Sequence, residues 1–274
     1  MLFDFNLPYH QDQDQQEQKR LEGVLERIYS IDPRATVAWN LLVKDIRATK
    51  VIAPVAADRF GKTITQLTRV TVQVVDSKGN YQLLSANPLN QQIDLLAAQP
   101  TNIEVCRHAC LAYEVDIISL DLSQPNAALP GYSSAQVAIQ RGIFFEICYT
   151  QAISERQQRV AFFANVTRLV DQTRGHNLIL SSGALRALHI KRPADLCMLG
   201  KLFGMSDDQA RAAARYNYER VLKKAETRKS TLVAAIQIES MPPESDLKRK
   251  QPASPAPESK SQKKKKKKLA ASSS

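Results

Sequence analysis

The chain has 274 residues, with 38 Lys+Arg against 27 Asp+Glu, and is 43% hydrophobic and 24% charged. That length and composition exclude a collagen, a mostly disordered chain and a disulfide-stapled miniprotein; they allow one large domain or two small ones. No apolar run reaches the ~18–20 residues that span a bilayer, the first residues lack a secretory pattern, and the four cysteines are expected as reduced intracellular thiols.

Leu2-Phe3-Asp4-Phe5-Asn6-Leu7 reads as a first strand, ended by Pro8. Leu21, Val24, Leu25 and Ile28 share one face of a helix that stops near Asp32-Pro33. Thr36 to Leu41 is a second strand, and the Thr/Val-rich run from Ile64 to Val75 a third, closed by a turn at Asp76-Ser77-Lys78-Gly79-Asn80. Ile93 to Ala98 is a fourth. Thr101-x-x-Glu104 predicts a capping box for a helix with Ile103, Cys106, Cys110 and Leu111 on one face. Val115 to Leu120 is a buried fifth strand. Ser133-x-x-Gln136 opens the next helix, and Gly142 ends it.

Ile143 to Tyr149 is strand six, with Glu146 facing inward, and a single long helix then runs to Arg174-Gly175. Asn177 to Leu180 is strand seven. A helix after Pro193 ends at Gly204, and Ser206-x-x-Gln209 caps another, reaching about Lys224. On that helix Ala210, Ala214, Tyr218, Val221 and Ala225 form an apolar stripe, Arg211 and Arg215 edge it, and Arg220 and Lys224 take the outer face. Regular strand–helix alternation means parallel strands with right-handed crossovers, and seven near-continuous apolar strands fit a TIM-like α/β barrel with surrounding helices better than the open sheet that the same spacing also allows.

Composition changes at the end of the chain. From Ser240 onward ten basic residues face three acidic ones, which places +7 of the +11 net charge in the last stretch. Pro, Ser, Lys and Ala replace periodic apolar residues there, so residues 1–239 are expected as the barrel domain and 240–274 as a disordered tail. Lys248, Arg249 and Lys250 form one basic cluster; Lys263, Lys264, Lys265, Lys266, Lys267 and Lys268 form a second. Two such clusters match what nuclear import receptors read.

Barrel chemistry sits at the carboxyl ends of strands, where Asp4, Asn6, Asn40, Asp121, Ser181, Ser182 and Arg186 are placed. Of the four histidines only His10 and His189 reach that end, too few with these acids for a hydrolytic metal centre, so no metal site is expected. Gly61-Lys62-Thr63 lacks the earlier glycine of a phosphate-binding loop, since Ala56 stands there, and no G-x-G occurs. Cys106 and Cys110 have no partner set for zinc and read as core. Basic side chains around the last helix and Lys191-Arg192-Pro193 suit phosphate oxygens; no aromatic RNA-recognition motif is present, so RNA contact is expected through backbone and shape.

The run Val137-Ala138-Ile139-Gln140-Arg141-Gly142-Ile143-Phe144-Phe145-Glu146-Ile147-Cys148-Tyr149 resembles the thirty-kilodalton protein subunit family of ribonuclease P and ribonuclease MRP. The resemblance continues through Asn177-Leu178-Ile179-Leu180-Ser181-Ser182-Gly183-Ala184, Ile190 to Asp195, Leu199 to Ser206 and Glu226-Thr227-Arg228-Lys229. Leu67-Thr68-Arg69-Val70-Thr71 looks like the family's third strand.

The resemblance implies a barrel related to the metal-dependent PHP phosphoesterases, in a subunit without catalysis of its own. Asp4-Phe5-Asn6 stands where those enzymes carry a His-x-Asp-x-His-like ligand set. The expected role is to support the enzyme RNA and pre-tRNA 5′-leader removal, and pre-rRNA processing as well, in the nucleus and nucleolus. Its partners would be the ribonuclease P/MRP RNA, other protein subunits including a small αβ subunit, and pre-tRNA indirectly, but no membrane. The chain would bind no cofactor, and magnesium would sit on the RNA. The RNA-contact candidates are Arg69, Arg186, Lys191, Arg192, Arg211, Arg215, Arg228 and Lys229. The competing readings are a metal-dependent PHP-type phosphoesterase and a nuclear protein that meets RNA through its tail alone.

Overall fold

Seven strands pair in chain order, each parallel to the next: β1 (Phe3–Pro8), β2 (Thr36–Val43), β3 (Thr65–Val74), β4 (Leu95–Pro100), β5 (Ile117–Ser119), β6 (Phe144–Cys148) and β7 (Leu178–Ser181). The computed structural model describes residues 1–11, 14–48, 63–76, 83–84, 87–154 and 156–240. The Gly61-Lys62 segment, most of the turn after Asp76 and the stretch beyond Ser240, with both lysine clusters, lie outside the described residues. Residues 1–236 pack as one unit, the α/β barrel that the alternation predicts.

Between the strands run α1 (Gln15–Ile31), α2 (Pro88–Gln92), α3 (Ile103–Ala112), α4 (Tyr132–Gln140), α5 (Gln151–Ser154) and α6 (Arg159–Thr173). After β7 come α7 (Pro193–Leu202), α8 (Asp207–Arg211), a π-helical turn (Ala212–Tyr216) and α9 (Asn217–Ser240). In α1 the Asp14 carboxylate caps the first turn by accepting from the Glu17 amide, and Leu21, Val24, Leu25 and Ile28 are its buried face.

Pleating sends alternate strand residues to opposite faces. Val37, Trp39, Val70, Val72, Phe145 and Ile147 face the helices in the main core. Phe3, Phe5, Ala38, Leu95, Ile117, Phe144 and Ile179 face inward and form a second cluster. A bulge between Asp4 and Leu7 breaks the alternation of β1. Phe5 and Asn6 therefore both turn inward, the first into the inner cluster and the second onto Glu146.

No eighth strand fills the gap between β7 and β1 among the described residues. Near the carboxyl ends the gap is stitched by two backbone amides of the β7 side: Ser182 N donates to the Asp4 carboxylate Oδ1 (3.1 Å) and Gly183 N to the Asn6 carbonyl O (2.9 Å). Below that, side chains of α9 satisfy the open edge of β7. Asn217 Nδ2 donates to Leu178 O (2.8 Å) and the Tyr218 hydroxyl to Leu180 O (2.7 Å). Tyr218, Val221 and Ala225 then pack on the inner cluster, with Tyr218 against the Phe3 and Phe5 rings. Lys224 and Arg228 reach groups just before β6, β5 and β4. The last helix thus crosses the amino-terminal mouth of the barrel and plugs it.

Local details differ from expectation where tertiary partners compete. Thr101 bonds Val74 O at the end of β3, so Asn102 caps α3 instead, accepting from Val105 N. Ile103 and Leu111 are exposed, and the buried face is Val105, Cys106, Ala109 and Cys110. Gly131, not Ser133, precedes α4. The single helix expected after β6 is two, α5 and α6. Lys224 is turned from the outer face to donate to Arg141 O. Two glycines are required for packing. Gly175 (φ 69°) follows α6 where a Cβ would run into the Gln209 carboxamide, and Gly200 lets α7 approach Ala210, whose Cβ lies 2.8 Å from the added atom's place.

Candidate nucleic-acid interface

The interior of the barrel holds a fully buried ion pair. Arg69 on β3 donates through Nη1 to Glu146 Oε1 (2.5 Å) and through Nη2 to Oε2 (2.7 Å), and both side chains are fully buried. Ser119 Oγ and Asn6 Nδ2 also donate to Oε2, at 2.6 and 3.0 Å. Arg69 Nε reaches Thr71 Oγ1, which donates to Asn40 Oδ1, while Asn40 Nδ2 donates to Asn6 Oδ1. Burial opposes ionisation of Glu146, yet the Arg69 charge and these hydrogen bonds hold its carboxyl below the usual range. Arg69 is likewise kept charged against its burial by Glu146.

This arrangement corrects two expectations. Arg69 cannot meet an external phosphate, because the pleat that turns Leu67 and Thr71 inward turns Arg69 inward too. Arg228, 7% exposed at its side chain, is spent inside the fold on Asp116 and on the carbonyls of Asn90, Ile93 and Asp94. The sequence held a signal for the first: a lone acid in the apolar strand around Glu146 requires a buried cation.

The donors at the carboxyl end do not fit a metal ion. Asp4 Oδ1 is occupied by the amides of Ser182 and Asn6, and burial raises its pKa to about 6. Glu146 is neutralised by Arg69. His10 is pinned outward by its contact with Glu17 Oε1 (2.9 Å). Among the described residues no group of three or more His, Cys, Asp or Glu converges. Cys106 and Cys110 are core, as expected, and the hydrogen bond with the neighbouring Cys110 thiol, together with burial, pushes Cys106 up.

Most of the remaining candidate cations fall into two sets. Arg186, Lys191 and Arg192 lie on the loop between β7 and α7, at the carboxyl end of the barrel. The Lys191 amide donates to the Tyr149 hydroxyl, and the Arg192 amide donates to Asp195 at the start of α7. His189 sits between them; partial burial and the charges of Arg186 and Lys191 lower its pKa. Arg186 and His189, with Leu185, Ile153 and Gly183, line a cleft of about 350 Å³. Arg211 and Arg215 lead into α9, beside Asp207, Asp208 and Glu219 at 3.8–3.9 Å. Such long, exposed pairs are weak and leave guanidinium groups open to a stronger anion. Lys229, a third exposed, is held by Asp94 at 2.7 Å.

Residues 1–230 match the family described as RNase P subunit p30. The chain belongs to this family. Relatives include Protein GAMETOPHYTE DEFECTIVE 1 of Arabidopsis thaliana, 35% identical over 69% of this chain. Ribonuclease P protein subunit drpp30 of Dictyostelium discoideum is 34% identical over 64% of it, and Ribonuclease P protein subunit p30 of Mus musculus 33% over 62%. The matched stretches cover 32%, 47% and 63% of those three proteins, less than two thirds of each. A chain of archaeal ribonuclease P, solved by cryo-EM with mature tRNA, has the same fold, with a TM-score of 0.55 and 14% identity over 92% of this chain and all of that one.

In this member of the p30 family the interior acid of the barrel is matched by a buried arginine, and the open cations lie on loops and helix edges. Of the mouth, Asn40 is where the sequence places it, at a strand end, whereas Thr71, Gln99 and Ser119 are not singled out by the sequence because polar residues of this kind carry no spacing motif.

Proposed function

We propose that this chain is a non-catalytic protein subunit of ribonuclease P, and of ribonuclease MRP, that supports the enzyme RNA and pre-tRNA 5′-leader removal, with pre-rRNA processing as a second task. The family match over residues 1–230 carries the reading. The Arg69–Glu146 pair supports its non-catalytic half, since the carboxylate best placed for barrel chemistry is already neutralised. Arg186, Lys191, Arg192, Arg211 and Arg215 would hold RNA phosphates through charge-assisted donors, leaving sequence choice to RNA shape. Magnesium would act on the RNA, other protein subunits, a small αβ one among them, would complete the particle, and the two lysine clusters beyond Ser240 would take the chain to the nucleus and nucleolus.

The test is to recover the full chain from cells and sequence the RNA that accompanies it. Enrichment of the ribonuclease P RNA, with pre-tRNA cleavage that needs that RNA, is the expected result. Metal-dependent cleavage by the protein alone would overturn the reading, and so would recovery without that RNA. A chain truncated after Ser240 should keep the enzyme RNA and lose nuclear accumulation.

A further inference from the structure

The carboxyl-terminal mouth of the barrel opens into a cavity of about 870 Å³. Its lining includes Asn6, Asn40, Thr71, Gln99 and Ser119, all uncharged hydrogen-bonding side chains. Most of them are already tied to one another or to the ion pair below, so their rotamers are fixed. They are not used up. Asn40 spends one of its two N–H groups on Asn6 and one acceptor site on Thr71, and the Ser119 hydroxyl, donating to Glu146, keeps its lone pairs.

The mouth therefore presents fixed donors and acceptors together, over a charge that Arg69 and Glu146 cancel between them. The charged residues of the lining, Lys44 and Asp45, are of opposite sign, and Asp45 is held by Arg47. The polar floor therefore carries no net charge to draw a phosphate or a metal ion, and has much to hold a neutral planar group with alternating donors and acceptors. Its walls suit that shape. Leu42 stands at the rim, half exposed, and the His10 ring is braced there by Glu17. The volume lies within the range of small-ligand pockets.

Gly183 lines both this cavity and the cleft of Arg186 and His189. A neutral hydrogen-bonding mouth and a cationic cleft are thus neighbours with one shared wall. We infer that the mouth takes a single unpaired nucleobase from an RNA strand whose phosphates lie along the Arg186–His189 cleft. Unstacked bases are recognised in this way, held by their edges and flanked by rings. The inference rests on the RNA-binding reading above and adds a base pocket to it.

The test uses the full chain and pentanucleotides that carry one base, A, G, C or U, among abasic positions, against a wholly abasic pentanucleotide of equal charge. At least one single-base probe should bind on the order of tenfold tighter than the abasic strand, as stacking of one base provides. The salt slope should be the same for both, because the phosphates are the same. Leu42→Trp, which obstructs the rim from an exposed position without touching the polar floor, should remove the gain. Equal binding of all five probes, or a gain that survives Leu42→Trp, would overturn the base pocket. The RNA co-purification experiment does not depend on this pocket, so a failure here leaves the subunit reading standing.

Discussion

Arg69 on β3 and Glu146 on β6 meet inside the barrel through two N–H···O contacts, with both side chains sealed from water. Taking two charges out of water costs several kcal/mol for each, and their attraction offsets this only while both are present. Glu146→Gln, which strands the arginine charge, should lower stability by about 3–5 kcal/mol. Adding Arg69→Met to that variant removes the stranded charge and should recover much of the loss. Urea unfolding of the three proteins measures this; a double variant weaker than Glu146→Gln would contradict the pairing argument.

Asp4 works in the opposite sense to an ordinary salt-bridged acid. Burial raises its pKa from 3.8 to about 6, so the folded state binds the proton more tightly than the unfolded chain does. Its contribution to stability therefore falls as pH rises from about 4 through about 6, by on the order of 3 kcal/mol, and is flat above that. Asp4→Asn keeps an acceptor for the Ser182 amide and removes the titration. The variant should be the more stable protein at pH about 7.5, and the difference from wild type should vanish near pH about 4. Thermal unfolding of both across this window isolates the Asp4 effect from Glu146, whose depressed pKa acts in the other direction.

The edge of β7 supplies a third test. Asn217→Ala and Tyr218→Phe each remove the donor to a strand carbonyl, leaving Leu178 O or Leu180 O without its partner. Each should cost about 1–3 kcal/mol, the usual penalty for a buried unsatisfied acceptor. Tyr218→Phe preserves the ring that contacts Phe3 and Phe5 (5.5 and 4.7 Å), so its loss is assignable to the hydroxyl. Denaturation curves matching the parent protein would mean that water serves this edge instead.

How far these features were legible depends on the distance over which they are encoded. The stripe of Ala210, Ala214, Tyr218, Val221 and Ala225 could be read directly and is buried throughout, because helical periodicity is local. The ends at Gly142, Gly175 and Gly204 were legible for the same reason, each having positive φ. Arg228 was not: it follows that stripe by three residues, but its partner Asp116 lies 112 residues earlier. Arg69 and Glu146 are separated by 77 residues, and only the strand register makes them neighbours. The bulge in β1, which turns Asn6 inward, leaves no mark on the alternation of Leu2 to Leu7.

The cations divide into two classes that experiment should separate. Alanine at Arg186, Lys191, Arg192, Arg211 or Arg215 should change stability by less than about 0.5 kcal/mol, as exposed sites do. Each that meets a phosphate should lower the salt slope for the co-purifying RNA by about one. Arg228→Ala should behave inversely, with a marked fall in melting temperature from stranding Asp116 and three backbone carbonyls. Unaltered salt slopes across the first five would place the RNA on another face.

The helix that closes the barrel is also the last part of residues 1–236 to be synthesised. Chains emerge amino end first, at about 5–20 residues per second. Until Asn217 to Arg228 have left the ribosome, the aromatic floor of Phe3, Phe5 and Phe144 has no cover and two carbonyls of β7 have no donor. An open strand edge beside exposed apolar rings is a template for pairing with another chain. A stop codon or frameshift near residue 215 would therefore remove more than a peripheral helix: the product would hold all seven strands and still be aggregation-prone at both its edge and its base.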